Sequence, residues 1–214
     1  MKKFLSLAIS FIPVNGIRIF FLRVLLGYKI DSNSSVGMFN VIISDRVDLV
    51  DSKIGSFNYI DAKCINIQKG LINKFNRIKH LNNLTLGERS VIFSGNFIGG
   101  TKGSDNMEHQ NLKLGADSEI LRSNYFDVTD EIEIGKNVVF GGNGSEIWTH
   151  GFDTKRNLLT GKVVFENDIF IGSKCIFTKG IKVGSDITIG PGSVVYKSVV
   201  EKGLYSSQQL IKIK

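Results

Sequence analysis

The feature that most constrains the fold is a six-residue repeat of apolar side chains near the carboxyl end of the chain. Apolar residues occupy every sixth position from Phe165 to Val195, and glycine follows three of them. An α-helix, with about 3.6 residues per turn, carries positions six apart to different faces. A short strand and a glycine turn keep them on one face. The repeat therefore predicts an all-β solenoid, a parallel β-helix built from hexapeptides.

The same period extends upstream through most of the chain. Its clearest row is Ile54, Ile60, Ile72, Ile78 and Leu84, with Asn66 as the one exception. Later rows follow shifted frames, because residues are added between coils without ending the solenoid. Two longer polar stretches, at about 99–113 and 149–162, are expected to leave the solenoid as surface loops, where binding and catalytic groups commonly lie.

The amino-terminal segment is expected to form short amphipathic helices. Its apolar runs are interrupted by Pro13, Asn15, Arg18 and Arg23, and none reaches the roughly 18 apolar residues that span a bilayer. We expect residues 3–27 to pack on the domain or on a neighbouring subunit, with contact to a membrane surface as the alternative.

These patterns divide the chain into three segments. We predict a helical segment over 1–30, the β-helix over 31–198 and a carboxyl-terminal tail over 199–214. The net charge of +7 suits a phosphate-bearing cofactor, nucleic acid or an anionic membrane, but no basic stripe with interleaved aromatic residues indicates nucleic acid. The cysteines, Cys64 and Cys175, lack paired spacing and are expected to be reduced core residues of a cytosolic protein.

Three segments resemble one known family, the left-handed β-helix (hexapeptide-repeat) acyltransferases. Residues 169–199, IFIGSKCIFTKGIKVGSDITIGPGSVVYKSV, are similar to the closing coils of the family. Residues 147–153, IWTHGFD, resemble the segment with its catalytic histidine, and residues 12–30 its helical lead-in. The resemblance is strongest to the branch that O-acetylates sugars, alongside maltose and galactoside acetyltransferases. It implies left-handed coils, a homotrimer and acetyl-CoA as the acyl donor.

His150 is the candidate catalytic base. Acyl transfer to a hydroxyl needs a group that accepts its proton, and imidazole titrates near neutral pH. His150 lies where the six-residue frame breaks, whereas His80 and His109 have no such context. A base histidine needs a hydrogen-bonded partner that sets its tautomer. The nearby carboxylates are Asp153, Glu146 and Asp130, among which the sequence does not choose, and Asp153 is named with His150 as the catalytic pair.

The remaining candidate residues concern substrate binding. From the resemblance, Asn143 is expected to bind acceptor hydroxyls, with a turn role as the alternative. Trp148 is expected to stack on a sugar ring or to wedge between coils or subunits. Small residues and a lysine in the closing coils are expected to bind acetyl-CoA: Gly172, Ser173, Gly190, Gly192, Ser193 and Lys197. Lys179 and Lys202 are alternatives for the phosphates. The family's glycine-x-proline-alanine-lysine turn is missing, and residues 204–214 read LYSSQQLIKIK in its place.

Together these features predict an acetyl-CoA-dependent O-acetyltransferase. The acceptor is a sugar hydroxyl in a surface polysaccharide or its precursor, and the acetyl group passes directly, without an acyl-enzyme. Three alternatives stay open: N-acylation of an amino sugar or antibiotic, a γ-type carbonic anhydrase with zinc on three histidines, and a non-catalytic β-helix that only binds. The expected location is the cytoplasm, with the inner face of the membrane as a further possibility.

Overall fold

The apolar rows point into one continuous core, around which the chain winds as a parallel β-helix. The computed structural model describes residues 2–103 and 106–207. Two α-helices come first, α1 (Lys2–Ser10) and α2 (Asn15–Leu26), and a single 3₁₀ turn covers Met107–His109. The strands in the described ranges are β1 (Lys29–Ile30), β2 (Ser35–Val36), β3 (Val41–Ile43), β4 (Arg46–Val50), β5 (Lys53–Ile54), β6 (Tyr59–Gln68), β7 (Leu71–Ile72), β8 (Arg77–Leu86), β9 (Val91–Ile92), β10 (Phe97–Gly99), β11 (Asn111–Leu114), β12 (Glu119–Ile120), β13 (Tyr125–Asp127), β14 (Ile132–Ile134), β15 (Val138–Phe140), β16 (Glu146–Trp148), β17 (His150–Phe152), β18 (Leu158–Thr160), β19 (Val163–Phe165), β20 (Ile169–Ile171), β21 (Ile176–Phe177), β22 (Lys182–Val183), β23 (Ile187–Ile189), β24 (Val194–Val195) and β25 (Gly203–Tyr205).

The strands stack on three faces, which we number in the order the chain follows. Face 1 consists of β2, β5, β7, β9, β12, β15, β20, β23 and β25. Face 2 consists of β3, the first parts of β6 and β8, and then β10, β13, β16, β21 and β24. Face 3 consists of β1, β4, the later parts of β6 and β8, and then β11, β14, β19 and β22. We call the edges between them corner 1/2, corner 2/3 and corner 3/1.

The burial of the predicted apolar row confirms the β-helix prediction. Every member of the row from Ile54 to Leu84 is fully buried. Asn66 departs from the row because β6 continues onto face 3, where Ile65 and Ile67 point inward and Asn66 points outward. The same alternation corrects one expectation: Cys64, beside the inward Ile65, is only partly buried, whereas Cys175 is a core residue.

A ladder of buried asparagines lines corner 1/2. Each side-chain oxygen accepts a hydrogen bond from the backbone N–H of the next member, at 2.8–3.0 Å. The members are Asn40, Asn58, Asn76, Asn96 and Asn124. Serine continues the column, since Ser145 N donates to Asn124 Oδ1 at 3.0 Å. The ladder satisfies backbone donors that the turn removes from strand pairing, which are costly to bury unpaired.

The two helices cover the first coil and so confirm that the amino-terminal segment packs on the domain. α1 lies along β3, where Ser6 Oγ accepts a hydrogen bond from Ile42 N at 2.8 Å. The guanidinium groups of Arg18 and Arg23, on α2, donate to Val36 O and Ile30 O, the carbonyls at the open end of the solenoid. Polar side chains thereby end a sheet edge that would otherwise recruit other strands.

The solenoid is slightly longer than predicted at both ends. It begins at β1, where Lys29 pairs with Asp48, and it continues into the predicted tail, where β25 pairs with β23. Residues 208–214 of that tail lie outside the described part of the chain. Within the described ranges, none of the helices has the length and apolar character needed to cross a bilayer.

Both long interruptions leave the solenoid at corner 2/3, as surface excursions between face 2 and face 3. The first joins β10 to β11 and contains the 3₁₀ turn. The second joins β16 to β19 and is an antiparallel hairpin, in which His150 of β17 pairs with Thr160 of β18. Surface loops were expected at both places, and the second has regular structure of its own.

The asparagine ladder generates a stability prediction. We expect Asn58→Ala to lower the free energy of unfolding by about 1–3 kcal/mol, because Asn76 N loses its buried acceptor. Urea denaturation measures the change. The control is Asn66→Ala, which removes an exposed amide from face 3 and is expected to cost far less; equal losses in the two variants would contradict a role for the ladder.

Candidate active site

Corner 2/3 brings His150 close to a carboxylate from the neighbouring coil. One residue, Thr149, separates His150 from the end of β16. Asp127 ends β13, the strand beside β16 on face 2. In the register of these strands Asp127 lies opposite Trp148. The turn after Trp148 therefore starts directly beside the Asp127 side chain, and the chain departs there into the hairpin.

The contact is a short hydrogen bond between His150 Nδ1 and Asp127 Oδ2, at 2.6 Å. Asp127 is 4% exposed and receives further donors, with Thr149 N at 3.0 Å from Oδ2 and Thr129 Oγ1 at 2.7 Å from Oδ1. A buried carboxylate needs such donors to remain charged at low cost. The His150 side chain is 24% exposed, so one edge of its ring is open.

This arrangement determines which nitrogen of His150 can act. A carboxylate oxygen accepts hydrogen bonds, so this contact favours the imidazole tautomer with its proton on Nδ1 and its lone pair on Nε2. A histidine held in this tautomer by a carboxylate is the arrangement of a general base. The pair therefore has the chemistry to accept a proton from a bound hydroxyl.

The structure corrects the prediction about the partner of His150. Asp153 lies at the hairpin tip, where it accepts hydrogen bonds from Asn157, and these hold the pKa of the Asp153 carboxyl below its ordinary value. The other two candidates have different partners as well. Glu146 accepts from the Trp148 indole, and Asp130 accepts from Glu131 N. Asp127 precedes His150 by 23 residues, and only the pairing of neighbouring coils reveals it.

Trp148 does lie beside His150, as the sequence suggested. Their ring centroids are 6.3 Å apart, and the Trp148 indole N–H donates to Glu146 Oε2 at 2.8 Å. The indole also contacts Tyr125 of the preceding coil, which in turn stacks on Phe97 one coil earlier, at centroid distances of 5.0 and 4.9 Å. Trp148 thus ends an aromatic column along face 2, and its predicted stacking on a sugar ring stays a prediction.

Asn143 lies away from His150, at corner 1/2 on the other edge of face 2. Its φ of 67° is in the left-handed region, and its N–H donates to Arg122 O at 2.7 Å. The same turn position is left-handed in coil after coil, including Lys174 and Gly192. Asn143 is thus a turn residue, which was the alternative, and its binding of acceptor hydroxyls stays a prediction. The side chain lines an open cavity of about 310 Å³ beside Arg122 and Phe93.

The candidate acetyl-CoA residues divide between the two corners. The glycines and serines, Gly172, Ser173, Gly190, Gly192 and Ser193, lie at corner 1/2. A Cβ on Gly172 would stand 2.6 Å from Pro191 N, so this glycine is required for coil stacking. Lys197 lies at corner 2/3, two coils beyond His150, and with Ser193 it lines a cavity of about 210 Å³ at the end of the solenoid. The arrangement leaves a groove-like end surface with a lysine beside it.

The other two histidines have separate carboxylate neighbours. His80 Nδ1 is 3.3 Å from Asp61 Oδ2, and His109 Nε2 is 3.4 Å from Glu108 Oε1. Among the residues that the structure describes, no group of three His, Cys, Asp or Glu side chains is arranged to hold a metal ion.

Comparison with known proteins supports the fold. Residues 162–197 match the family described as the hexapeptide repeat of succinyl-transferase. The solved structure of the polysialic acid O-acetyltransferase OatWY aligns with 84% of this chain and 80% of its own, at 14% identity and a TM-score of 0.50. The fold is that of the left-handed β-helix acyltransferases.

Two further acyltransferase structures align with this chain at lower TM-scores. The hexapeptide-repeat acetyltransferase VCA0836 from Vibrio cholerae covers all of this chain and 89% of its own, at 16% identity and a TM-score of 0.45. The structure of a mutant of AntD, an N-acyltransferase from Bacillus cereus, aligns with 87% of this chain and 81% of its own, at 15% identity and a TM-score of 0.37.

The Asp127 contact generates a prediction for the His150 tautomer. We expect nitrogen NMR of the imidazole at alkaline pH to detect the proton on Nδ1, because Asp127 accepts it. Asp127→Asn should redistribute that proton toward Nε2, since the amide also offers donors. Asp153→Asn is the matched control and should leave the His150 signals unchanged. If Asp153→Asn shifts these signals and Asp127→Asn does not, Asp153 is the partner of His150.

Proposed function

We propose that this protein is an acetyltransferase that moves the acetyl group of acetyl-CoA to a sugar hydroxyl in a surface polysaccharide or its precursor. The observation that carries the proposal is the His150–Asp127 pair, held across two coils with Nε2 free of the carboxylate. The fold is one that acyltransferases use, and OatWY, which shares it, is named for O-acetylation of a sugar polymer. The sugar-acetylating branch itself, alongside maltose and galactoside acetyltransferases, is inferred from the sequence resemblance.

The proposed chemistry is direct transfer. His150 Nε2 removes the proton of the acceptor hydroxyl as its oxygen attacks the thioester carbonyl carbon. The new C–O bond forms and the C–S bond breaks, so that the acetyl ester and the CoA thiolate result. The His150 imidazolium then protonates the leaving sulfur, which returns the base to its neutral form. No side chain is acylated in this sequence.

Asp127 has a positioning role in this proposal. Its carboxylate orients the His150 ring and stabilises the imidazolium that forms when Nε2 takes the proton. Thr149 and Thr129 in turn fix the carboxylate, so the base cannot rotate away from the attack direction. Trp148, beside the ring, is proposed as a wall of the acceptor site.

For acetyl-CoA we propose the end of the solenoid. Lys197 is exposed beside the cavity that Ser193 and Tyr205 also line, and a lysine at such a place pairs with a phosphate group. The small residues Gly172, Ser173, Gly190 and Gly192 are proposed to flank the extended arm of the molecule. These residues also form the turns of the coils, and both roles are compatible.

We further propose that the enzyme is a homotrimer in the cytoplasm. The hairpin exposes Phe152, Leu158 and Leu159, and an apolar hairpin that projects from corner 2/3 is suited to reach a neighbouring subunit. Cys64 and Cys175 are free thiols, as a reducing compartment favours. Light scattering of the purified protein measures the subunit number.

The central prediction concerns His150. We expect His150→Ala to lower kcat for acetyl transfer by about 10²–10⁴-fold, and Asp127→Asn to cause a similar loss with little change in KM. Release of CoA thiol, screened over sugars, amino sugars, nucleotide sugars and lipid-linked glycans, provides the assay. Asp153→Asn is the control and should retain activity. Full activity of His150→Ala would refute the mechanism, and transfer confined to amines would favour N-acylation.

A second prediction concerns Lys197. We expect Lys197→Gln to raise KM for acetyl-CoA about tenfold, the effect of losing one charge-assisted hydrogen bond to a phosphate. The control is Lys202→Gln, because Lys202 lies beyond face 3, at corner 3/1, away from the end cavity. A larger rise in KM for Lys202→Gln than for Lys197→Gln would assign the phosphate contact to Lys202.

A further inference from the structure

The outer side of α2 is apolar and has no cover in the described chain. Ile17, Phe20, Val24 and Leu25 are each about half exposed or more, whereas Arg18 of the same helix is 4% exposed. The inversion has a physical cause, since Arg18 is needed inside to donate to Val36 O at the end of the solenoid. Nothing in that role requires the outward residues to be apolar, and exposed hydrocarbon of this extent indicates a partner.

The apolar surface continues from α1 onto the solenoid. Phe4 of α1 and Phe11, the residue directly after α1, are exposed, and the Phe11 ring contacts Phe39 edge-on at a centroid distance of 5.3 Å. Phe39, Phe57 and Phe75 then stack along corner 1/2, at centroid distances of 4.9 and 5.1 Å. We call these three residues the phenylalanine ladder, and the exposed apolar residues of α1 and α2 the helical patch.

The backbone conformation of the phenylalanine ladder is one in which an aromatic residue is unusual. Phe39, Phe57 and Phe75 have φ values of 57°, 63° and 60°, in the left-handed region that bulky residues disfavour. Later coils place Gly95, Ser123, Asn143, Lys174 and Gly192 at the same turn position, so every coil adopts this conformation and no later coil uses an aromatic residue for it. Three successive coils thus carry a strained and exposed aromatic residue where a small one would be more stable.

The charged residues of the amino-terminal helical segment have one sign. Residues 1–30 contain five lysines and arginines and no aspartate or glutamate. Lys3 is exposed at α1, and Lys74 Nζ lies 5.8 Å from the Phe75 ring. Lys2 pairs with Asp45 of the solenoid, at 2.7 Å between Nζ and Oδ1. Exposed aromatic and aliphatic side chains with a basic rim match the interface of an anionic bilayer.

We propose that the helical patch and the phenylalanine ladder bind the surface of an anionic phospholipid bilayer. The helices have 9 and 12 residues and would lie in the headgroup region, with their apolar side chains at the acyl boundary. A symmetric contact with a second copy of the chain suits the surface less well, because it would bring the same basic rim against itself. The proposal is independent of the acetyl acceptor.

Sedimentation with vesicles tests the proposal on the full chain. We expect the protein to sediment with vesicles of phosphatidylcholine and phosphatidylglycerol, more weakly with phosphatidylcholine alone, and less at high salt because the basic rim is screened. The double variant Phe20→Gln/Val24→Gln should lower the partition coefficient about tenfold or more, since buried hydrocarbon is lost. The matched control is Phe170→Gln, which removes a phenylalanine of similar exposure (53% against 57%) from face 1 near the other end.

A second variant separates binding from folding. Phe57→Asn removes one ring of the phenylalanine ladder, and asparagine tolerates the left-handed backbone. We expect it to keep or raise the unfolding midpoint while lowering vesicle binding severalfold. A lowered midpoint with unchanged binding would make the ladder a structural element only and would overturn its part in the surface.

Two outcomes overturn the proposal as a whole. One is a parent protein that does not sediment with either vesicle type. The other is a helical-patch variant that binds vesicles as the parent does but has a smaller mass in light scattering, which would make the patch a contact between copies of this chain.

Discussion

Every coil of this β-helix depends on the backbone hydrogen bonds that it exchanges with the coils on either side. Those bonds require close approach at the turns, and a Cβ on Gly55 would stand 2.8 Å from the carbonyl carbon of Asn73. The same spacing stacks the buried asparagines, so that a backbone N–H of each coil donates to the asparagine oxygen of the coil before it. Core, turns and polar ladder are thus one repeated contact, and each coil is stable only beside its neighbours.

The candidate site derives its geometry from this stacking. Asp127 and His150 belong to neighbouring coils, and the parallel register of β13 and β16 holds one beside the other. The hairpin that begins at His150 interrupts the repeat without disturbing it, because face 3 resumes at β19. A rigid scaffold therefore supplies the carboxylate, while the insertion supplies the base and an open edge. This division gives the proposed acetyl transfer a preorganised base.

The open end of the solenoid explains the unusual amino-terminal helices. The first coil has carbonyls at its open edge, to which the buried Arg18 and the exposed Arg23 both donate. Because the arginines of α2 contact the sheet edge, the apolar residues of the helix face outward. The phenylalanine ladder extends this apolar surface where the fold itself has no need of aromatic residues, and the proposed bilayer contact accounts for both features.

The sequence by itself determined which side chains form the core, because a six-residue period places the row from Ile54 to Leu84 on one face of every coil. It also indicated the place of the candidate site, since the period fails at His150. Only the tertiary structure decided that Asp127 is the partner of His150, that Asn143 is a turn residue and that Cys64 faces outward. The physical reason is that the six-residue period specifies whether a side chain points into the core or outward. Which residues of neighbouring coils come into contact depends on how many residues each turn and insertion adds.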